Sequence, residues 1–271
     1  MKQIPFYKYQ GAGNDFILID QRDTRYLESD QEAIIQKLCD RRFGIGADGL
    51  MLLEKADGYD FRMVYFNADG REGSMCGNGG RCIVAFAHHL GLVDQTCTFI
   101  AIDGPHKAIV KTPNYIELKM QDVEHIEVGE DHFILDTGSP HYIQFVSDID
   151  QVDVVDAGKE IRYNNRFAKE GINVNFVDVH SQQSLRIATY ERGVEDETLA
   201  CGTGVTAAAI AHHLKTKANR QSTIDLKAKG GDLQVRLDEQ DGYYTNIWLC
   251  GPADYVFKGS INEVVMKFPV K

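Results

Sequence analysis

The chain has 271 residues, 43% apolar and 25% charged, an ordinary globular balance with room for one large or two ordinary domains. A net charge of −11 and the absence of any Lys/Arg block argue against a nucleic-acid partner, which needs a basic footprint. No apolar run approaches a membrane span, and the opening MKQIPFYKYQ has no apolar core of a secretion signal; a cytoplasmic protein with a small partner is expected.

In chain order, a first turn signal is GND at Gly13. SDQEAIIQKLCD then carries a capping box, Ser29 to Glu32, with Ile34 and Leu38 one turn apart, and predicts a helix. FRMVY, residues 61–65, alternates as a strand and leads into the turn NADG. SMCGNGGRCIVAFAHHLG, residues 74–91, sets Cys76 before a glycine-rich turn that opens into an apolar run. Short strand patterns follow in TFIAIDGPHKAIV, from Thr98, around the turn DGP at 103, with TPN at 112 closing them.

The second half repeats this order at an offset of 125. GSP at Gly138 falls on GND, RIATY (186–190) on FRMVY, and TIDLKAKGGDLQV, from Thr223, on TFIAIDGPHKAIV; KGG at 229 and QDG at 240 mark its turns. In LACGTGVTAAAIAHHLK, residues Cys201, Gly202 and Gly204 repeat Cys76, Gly77 and Gly79. These coincidences predict two halves of one topology, residues 1–120 and 121–256, with the tail from about 257 to 271 joining the first. CIVAFAHHL and VTAAAIAHHL are apolar on nearly every face, as a helix buried inside a curved sheet must be. The expected fold is α/β of the α+β type: two pseudo-symmetric domains, each a mostly antiparallel curved sheet around a central helix.

A helix N-terminus carries unpaired N–H groups and a partial positive charge, so it binds anions and favours the thiolate of a cysteine placed there. Glycine at the next positions lets a ligand approach the backbone. Two such thiols from equivalent halves suit the inversion of a carbon stereocentre, which takes a proton from one face and returns one to the other. Six cysteines in a chain this long are expected as reduced thiols rather than a disulfide framework.

Six motifs in order, GAGNDF (11–16), FNADG (66–70), MCGNGGRC (75–82), GINVNF (171–176), ERG (191–193) and ETLACGTG (197–204), resemble those of the diaminopimelate epimerase family over essentially the whole chain. The resemblance implies two similar domains with the site in a cleft, and a cofactor-independent interconversion of LL- and meso-diaminopimelate in lysine and peptidoglycan synthesis. It also implies a homodimer, with no metal. Cys76 and Cys201 become the acid/base pair, and Gly77, Asn78, Gly202 and Thr203 donors to the reacting carboxylate. Asn14 and Glu191 would hold the reacting ammonium; Asn67, Asn173 and Arg192 would read the distal amino acid, Arg192 by a bidentate grip.

Two departures stand out. GSPH replaces the family's usual GNPH, placing Ser139 beside His141 where an Asn is expected near the substrate. ERGVEDET is one residue longer than usual, so the path from Arg192 to Cys201 is expected to bulge. Proline-type racemases of the same fold are the alternative, disfavoured because their substrates give Arg192 no second carboxylate. A metal-binding module of Cys76, Cys82, His88, His89, Cys201, His212 and His213 is disfavoured by spacing: no CxxC occurs, and Cys76 and His88 lie at opposite ends of one helix. The His pairs are expected at helix C-termini, complementing the dipole.

Overall fold

The computed structural model describes residues 3–28, 30–217 and 220–262. The chain forms two compact units, Met1–Leu118 with Pro252–Lys271, and Lys119–Gly251. The first unit contains β1 (Gln3–Gly11), β2 (Asn14–Asp20), α1 (Glu32–Cys39), β3 (Gly49–Glu54), β4 (Phe61–Asn67), α2 (Gly77–His89), β5 (Thr96–Ala101), β6 (Gly104–Thr112) and β7 (Tyr115–Lys119). The second contains β8 (Ile126–Val128), β9 (His132–Asp136), β10 (Pro140–Val146), α3 (Val154–Arg162), β11 (Asn173–Ser181), β12 (Ser184–Glu191), β13 (Asp196–Thr198), α4 (Gly202–Thr216), β14 (Gln221–Ala228), β15 (Gly231–Gln240) and β16 (Tyr243–Pro252). β17 (Asp254–Asn262) returns to the first unit and pairs antiparallel with β1.

One topology serves both units. In the first, β17, β1, β2, β3, β4, β5, β6 and β7 lie side by side, parallel only at β2–β3 and β4–β5. In the second, β8, β9, β10, β11, β12, β14, β15 and β16 do the same, parallel only at β10–β11 and β12–β14, with β13 added along the end of β12. One face of each sheet packs on the central helix, α2 or α4. Residues 77–87 of α2 are all buried, as are Gly202 and residues 204–213 of α4, which is why neither run shows a polar stripe. On the opposite face Ile17, Leu50, Leu52 and Phe66 meet Ile35 and Leu38 of α1, and Val174, Phe176 and Tyr190 meet Val154 of α3.

The offset of 125 holds at the glycine turns and the central helices but drifts elsewhere. Gly13 and Gly138 both have positive φ (91° and 112°), and Cys76 and Cys201 both precede the first helical residue. Phe16 pairs with Gly49, and His141 with Asn173, so Gly49 matches Asn173 at 124. Met51 pairs with Tyr65 and Asn175 with Thr189, so β4 matches β12 at 124 too. FRMVY therefore superposes on residues 185–189, not 186–190. The two-residue hairpin closed by Ala101 and Gly104 matches that of Ala228 and Gly231, at 127. Connections of unequal length absorb the difference, and within a strand a slip of one would turn every side chain to the other face.

Helix α1 starts at Glu32 with Gln31 as its N-cap; Ser29 of the expected capping box lies outside the described residues. Its buried face is Ile35, Leu38 and Cys39, while Ile34 is only half-buried. The His pairs face particular partners. The Tyr9 hydroxyl and His89 Nδ1 are 2.8 Å apart, His212 Nε2 donates to Gln182 O at 3.0 Å, and His213 Nδ1 lies 3.1 Å from the Tyr244 hydroxyl. α4 continues past its pair to Thr216.

Candidate active site

Cys76 and Cys201 are the N-caps of α2 and α4. Both backbones are extended (φ −94°, ψ 132° and φ −110°, ψ 109°), and their carbonyls accept from Gly80 N at 2.7 Å and Val205 N at 2.9 Å. Neither side chain folds back to cap its own helix. Both cysteines are half-buried, whereas Cys39, Cys82, Cys97 and Cys250 are buried. Burial pushes the Cys39 and Cys97 thiols up to about 12 and Cys82 higher still. The N-cap thiols instead sit where first-turn N–H groups and the helix dipole favour negative charge.

In the first unit, Asn78 Nδ2 donates to Asn14 Oδ1 at 2.5 Å, and Asn14 Nδ2 to Asp48 Oδ2 at 3.1 Å. Asp48 also accepts from Asp15 N (3.2 Å) and Arg41 (2.7 Å). Behind the helix start, the fully buried Arg81 donates to Gly77 O, Asn78 Oδ1 and Pro252 O at 3.2, 2.9 and 3.3 Å. Arg81 thus clamps the turn that presents Cys76. Asn67 is exposed at the end of β4, its Oδ1 accepting from the Tyr65 hydroxyl at 3.0 Å. A side chain on Gly73 would come within 2.9 Å of Asn67 Nδ2, so glycine there leaves the amide room.

In the second unit the sulfur of Cys201 lies 3.4 Å from Thr203 Oγ1, which lies 2.9 Å from His141 Nε2 and 3.3 Å from Ser139 Oγ. Ser139 therefore reaches protein groups directly, His141 at 3.0 Å and Asn173 Nδ2 at 3.1 Å. Asn173 commits both amide hydrogens within the protein, to Ser139 Oγ and Pro140 O (3.0 Å), and its Oδ1 accepts from Arg192 N at 2.9 Å. It fixes the backbone of Arg192, whose Nη1 donates to Glu170 O at 3.0 Å. Glu191 ends β12 beside it, half-buried. His141 is fully buried, and that burial, with the Arg192 charge second, lowers its pKa to about 3.

The longer ERGVEDET segment is a closed hairpin rather than a loose bulge. Gly193 and Glu195 take positive φ (93° and 61°), Glu195 N donates to Glu191 O at 2.8 Å, and β13 pairs back on β12. The Glu195 carboxylate locks the turn, accepting from Gly193 N at 3.1 Å and from the Tyr163 and Tyr190 hydroxyls at 2.9 Å each. Among the described residues no three His, Cys, Asp or Glu side chains converge to hold a metal ion.

The sequence profile of the diaminopimelate epimerase family matches residues 6–126 and 133–256. This chain belongs to the diaminopimelate epimerase family. It is 49% identical to the diaminopimelate epimerase of Flavobacterium psychrophilum over 94% of this chain and 99% of that relative. The corresponding enzyme of Chlorobaculum tepidum is 43% identical over 93% and 98%. Among solved structures, a phenazine biosynthesis protein of the PhzF family from Bacillus anthracis matches with a TM-score of 0.75 at 13% identity, over 97% of this chain and 100% of that one. A probable proline racemase from Agrobacterium radiobacter matches with a TM-score of 0.71 at 16% identity, over 98% and 96%. Those two likenesses establish the fold.

Four polar residues that brace the family's motif residues carry no role that the motifs by themselves indicate: Asp48, Arg81, Asn175 and Thr189. Arg81 and Asn175 stand inside quoted motifs, and a signal for Asn175 was present. In NVN an amide recurs at alternate positions of an apolar strand, which puts Asn173 and Asn175 on one face.

Proposed function

We propose that this chain interconverts LL- and meso-2,6-diaminopimelate without a cofactor, Cys76 and Cys201 serving as its two bases. One observation carries the chemistry: a half-buried cysteine occupies the N-cap position of the central helix in each of two units of one topology. Membership of the family supports the substrate. One sulfur, as thiolate, takes the α-proton, breaking C–H and forming S–H. The other, as thiol, returns a proton to the opposite face of the carbon, so a turnover exchanges thiol for thiolate and the reverse reaction starts from the exchanged state.

The α-proton of an amino acid is weakly acidic, and the negative charge that builds toward the carboxylate needs oriented donors in place beforehand. The backbone N–H groups of Gly77, Asn78, Gly202 and Thr203, at two helix starts, are assigned to it. Asn14 and Glu191 are assigned to the reacting ammonium, with Ser139 and His141 near the same centre. Asn67 and Arg192 take the distal amino acid, and Asn173 supports Arg192 through its backbone. A homodimeric, cytoplasmic enzyme of lysine and peptidoglycan synthesis completes the proposal.

Turnover of LL-diaminopimelate in deuterated water tests the two bases. Because each holds one proton, early product should carry deuterium at the inverted carbon while recovered substrate stays mostly protonated. Equal early labelling of both pools would mean one polyprotic base and defeat the assignment.

A further inference from the structure

The two thiols share a helix position but not what stands behind it. By strand register, Phe16, Met51 and Tyr65 of the first unit match His141, Asn175 and Thr189 of the second. The first trio is largely apolar, with the Phe16 and Tyr65 rings edge to face at 6.2 Å. The second is a buried polar chain that ends at Cys201. Thr189 Oγ1 donates to Asn175 Oδ1 at 2.9 Å, and Asn175 Nδ2 donates to Tyr142 O at 3.0 Å and lies 3.1 Å from His141 Nδ1. Two independent partners, one donor and one acceptor, thus fix which way the Asn175 amide points.

That orientation sets every hydrogen downstream. An amide N–H facing Nδ1 requires a lone pair there, so the neutral ring carries its proton on Nε2. Neither neighbouring hydroxyl can then donate to the ring. Ser139 Oγ already accepts from Asn173 Nδ2, and with the ring N–H at 3.0 Å its lone pairs are filled. The Ser139 hydroxyl, with both lone pairs occupied, donates its own hydrogen to Thr203 Oγ1 at 3.3 Å, which shares the ring N–H at 2.9 Å, and the Thr203 hydrogen turns to Cys201 Sγ at 3.4 Å.

We infer that Asn175 is a positioning residue: by holding the proton of His141 on Nε2 it turns the Thr203 hydroxyl onto Cys201 Sγ and favours that sulfur as thiolate, through positions that hold Phe16, Met51 and Tyr65 in the first unit. It rests on the assignment of Cys201 as an acid/base group, and it acts through hydrogen-bond direction, since an O–H donor stabilises the charged form of the sulfur.

The test reads the free enzyme and needs no turnover. In 15N spectra of histidine-labelled protein, the ring that stays neutral across the neutral pH range should show a protonated Nε2 and a bare Nδ1. Iodoacetamide alkylation at one pH, read by peptide mapping, should be about tenfold slower at Cys201 in Thr203→Val, near normal in Thr203→Ser, and unchanged at Cys76 in both. Asn175→Met, which copies the matching residue of the first unit, should mix the two ring tautomers and slow Cys201 alkylation several-fold while Thr203 remains. A ring proton on Nδ1 in the parent protein, or a Thr203→Val variant alkylated at Cys201 as fast as Thr203→Ser, overturns the inference. If instead Cys201→Ser keeps full epimerase activity, the acid/base assignment fails while the spectra and alkylation rates stand unaffected.

Discussion

Gly204 and Gly79 occupy the same place, three residues after the N-cap cysteine of each central helix, yet alanine should have opposite effects there. A methyl on Gly204 would overlap Asn175 Oδ1 and come within 3.3 Å of His141 Cε1. Asn175 is fully buried in a strand, and its three shortest bonds, to Thr189 Oγ1, Tyr142 O and His141 Nδ1, would break on any retreat. At a net ~1 kcal/mol each the loss is about 3 kcal/mol, offset by up to about 1 kcal/mol from replacing glycine in a helix. Gly204→Ala should therefore cost about 2 kcal/mol. A methyl on Gly79 meets the flexible Met51 thioether at 3.4 Å and the Cys76 Cβ at 3.6 Å, both ordinary contacts, so Gly79→Ala should keep or gain stability. Thermal melts followed by circular dichroism under identical conditions measure both. Gly204→Ala should melt about 6 °C below the parent and Gly79→Ala at or above it. Equal melting temperatures for the two variants would refute the account of what lies behind each helix start.

Alkylation should separate the cysteines: iodoacetamide labels Cys76 and Cys201 first, because Cys39, Cys82, Cys97 and Cys250 are buried and burial raises the first three thiols. Early labelling of a buried cysteine, mapped by mass spectrometry, would contradict this packing. Arg192→Met should lower kcat/KM for diaminopimelate by about 100-fold or more while far-UV circular dichroism stays unchanged, since among the described residues its guanidinium hydrogen-bonds to one carbonyl, Glu170 O; near-normal turnover removes it from the site. Burial raises the Asp15 carboxyl, but hydrogen bonds from Arg41 and Lys8 outweigh that and lower it to about 2. Against an unfolded value of about 3.9, this contributes stability above pH 4 that is lost as pH falls toward 2. Asp15→Asn should thus cost about 2 kcal/mol at pH 7 and only about 0.4 kcal/mol near pH 2, measured by urea unfolding at both. A penalty independent of pH would exclude the carboxylate as its source.

What the sequence determined by itself is local. A cysteine, a glycine turn and an apolar run sit within one turn of chain, so their spacing alone places a thiol at a helix start, and a second copy 125 positions on marks the repeat. The offset survived at the helices because no connection intervenes between Cys76 and its helix. It failed across β3, β4, β5 and β6, where the lengths of connections decide the register and the sequence carries no ruler for them. Thr203 and His141 were legible in the motifs and NVN marked Asn175, but the linkage of Thr189, Asn175, His141 and Thr203 into one chain was not. Its members come from β12, β11, β10 and α4, and only parallel pairing of β10 with β11 and antiparallel pairing of β11 with β12 bring them within 3.1 Å of one another in turn. Ser139 shows the same division: the residue type was legible, but whether its short hydroxyl met water, substrate or His141 depended on how close tertiary packing set β10 to the first turn of α4.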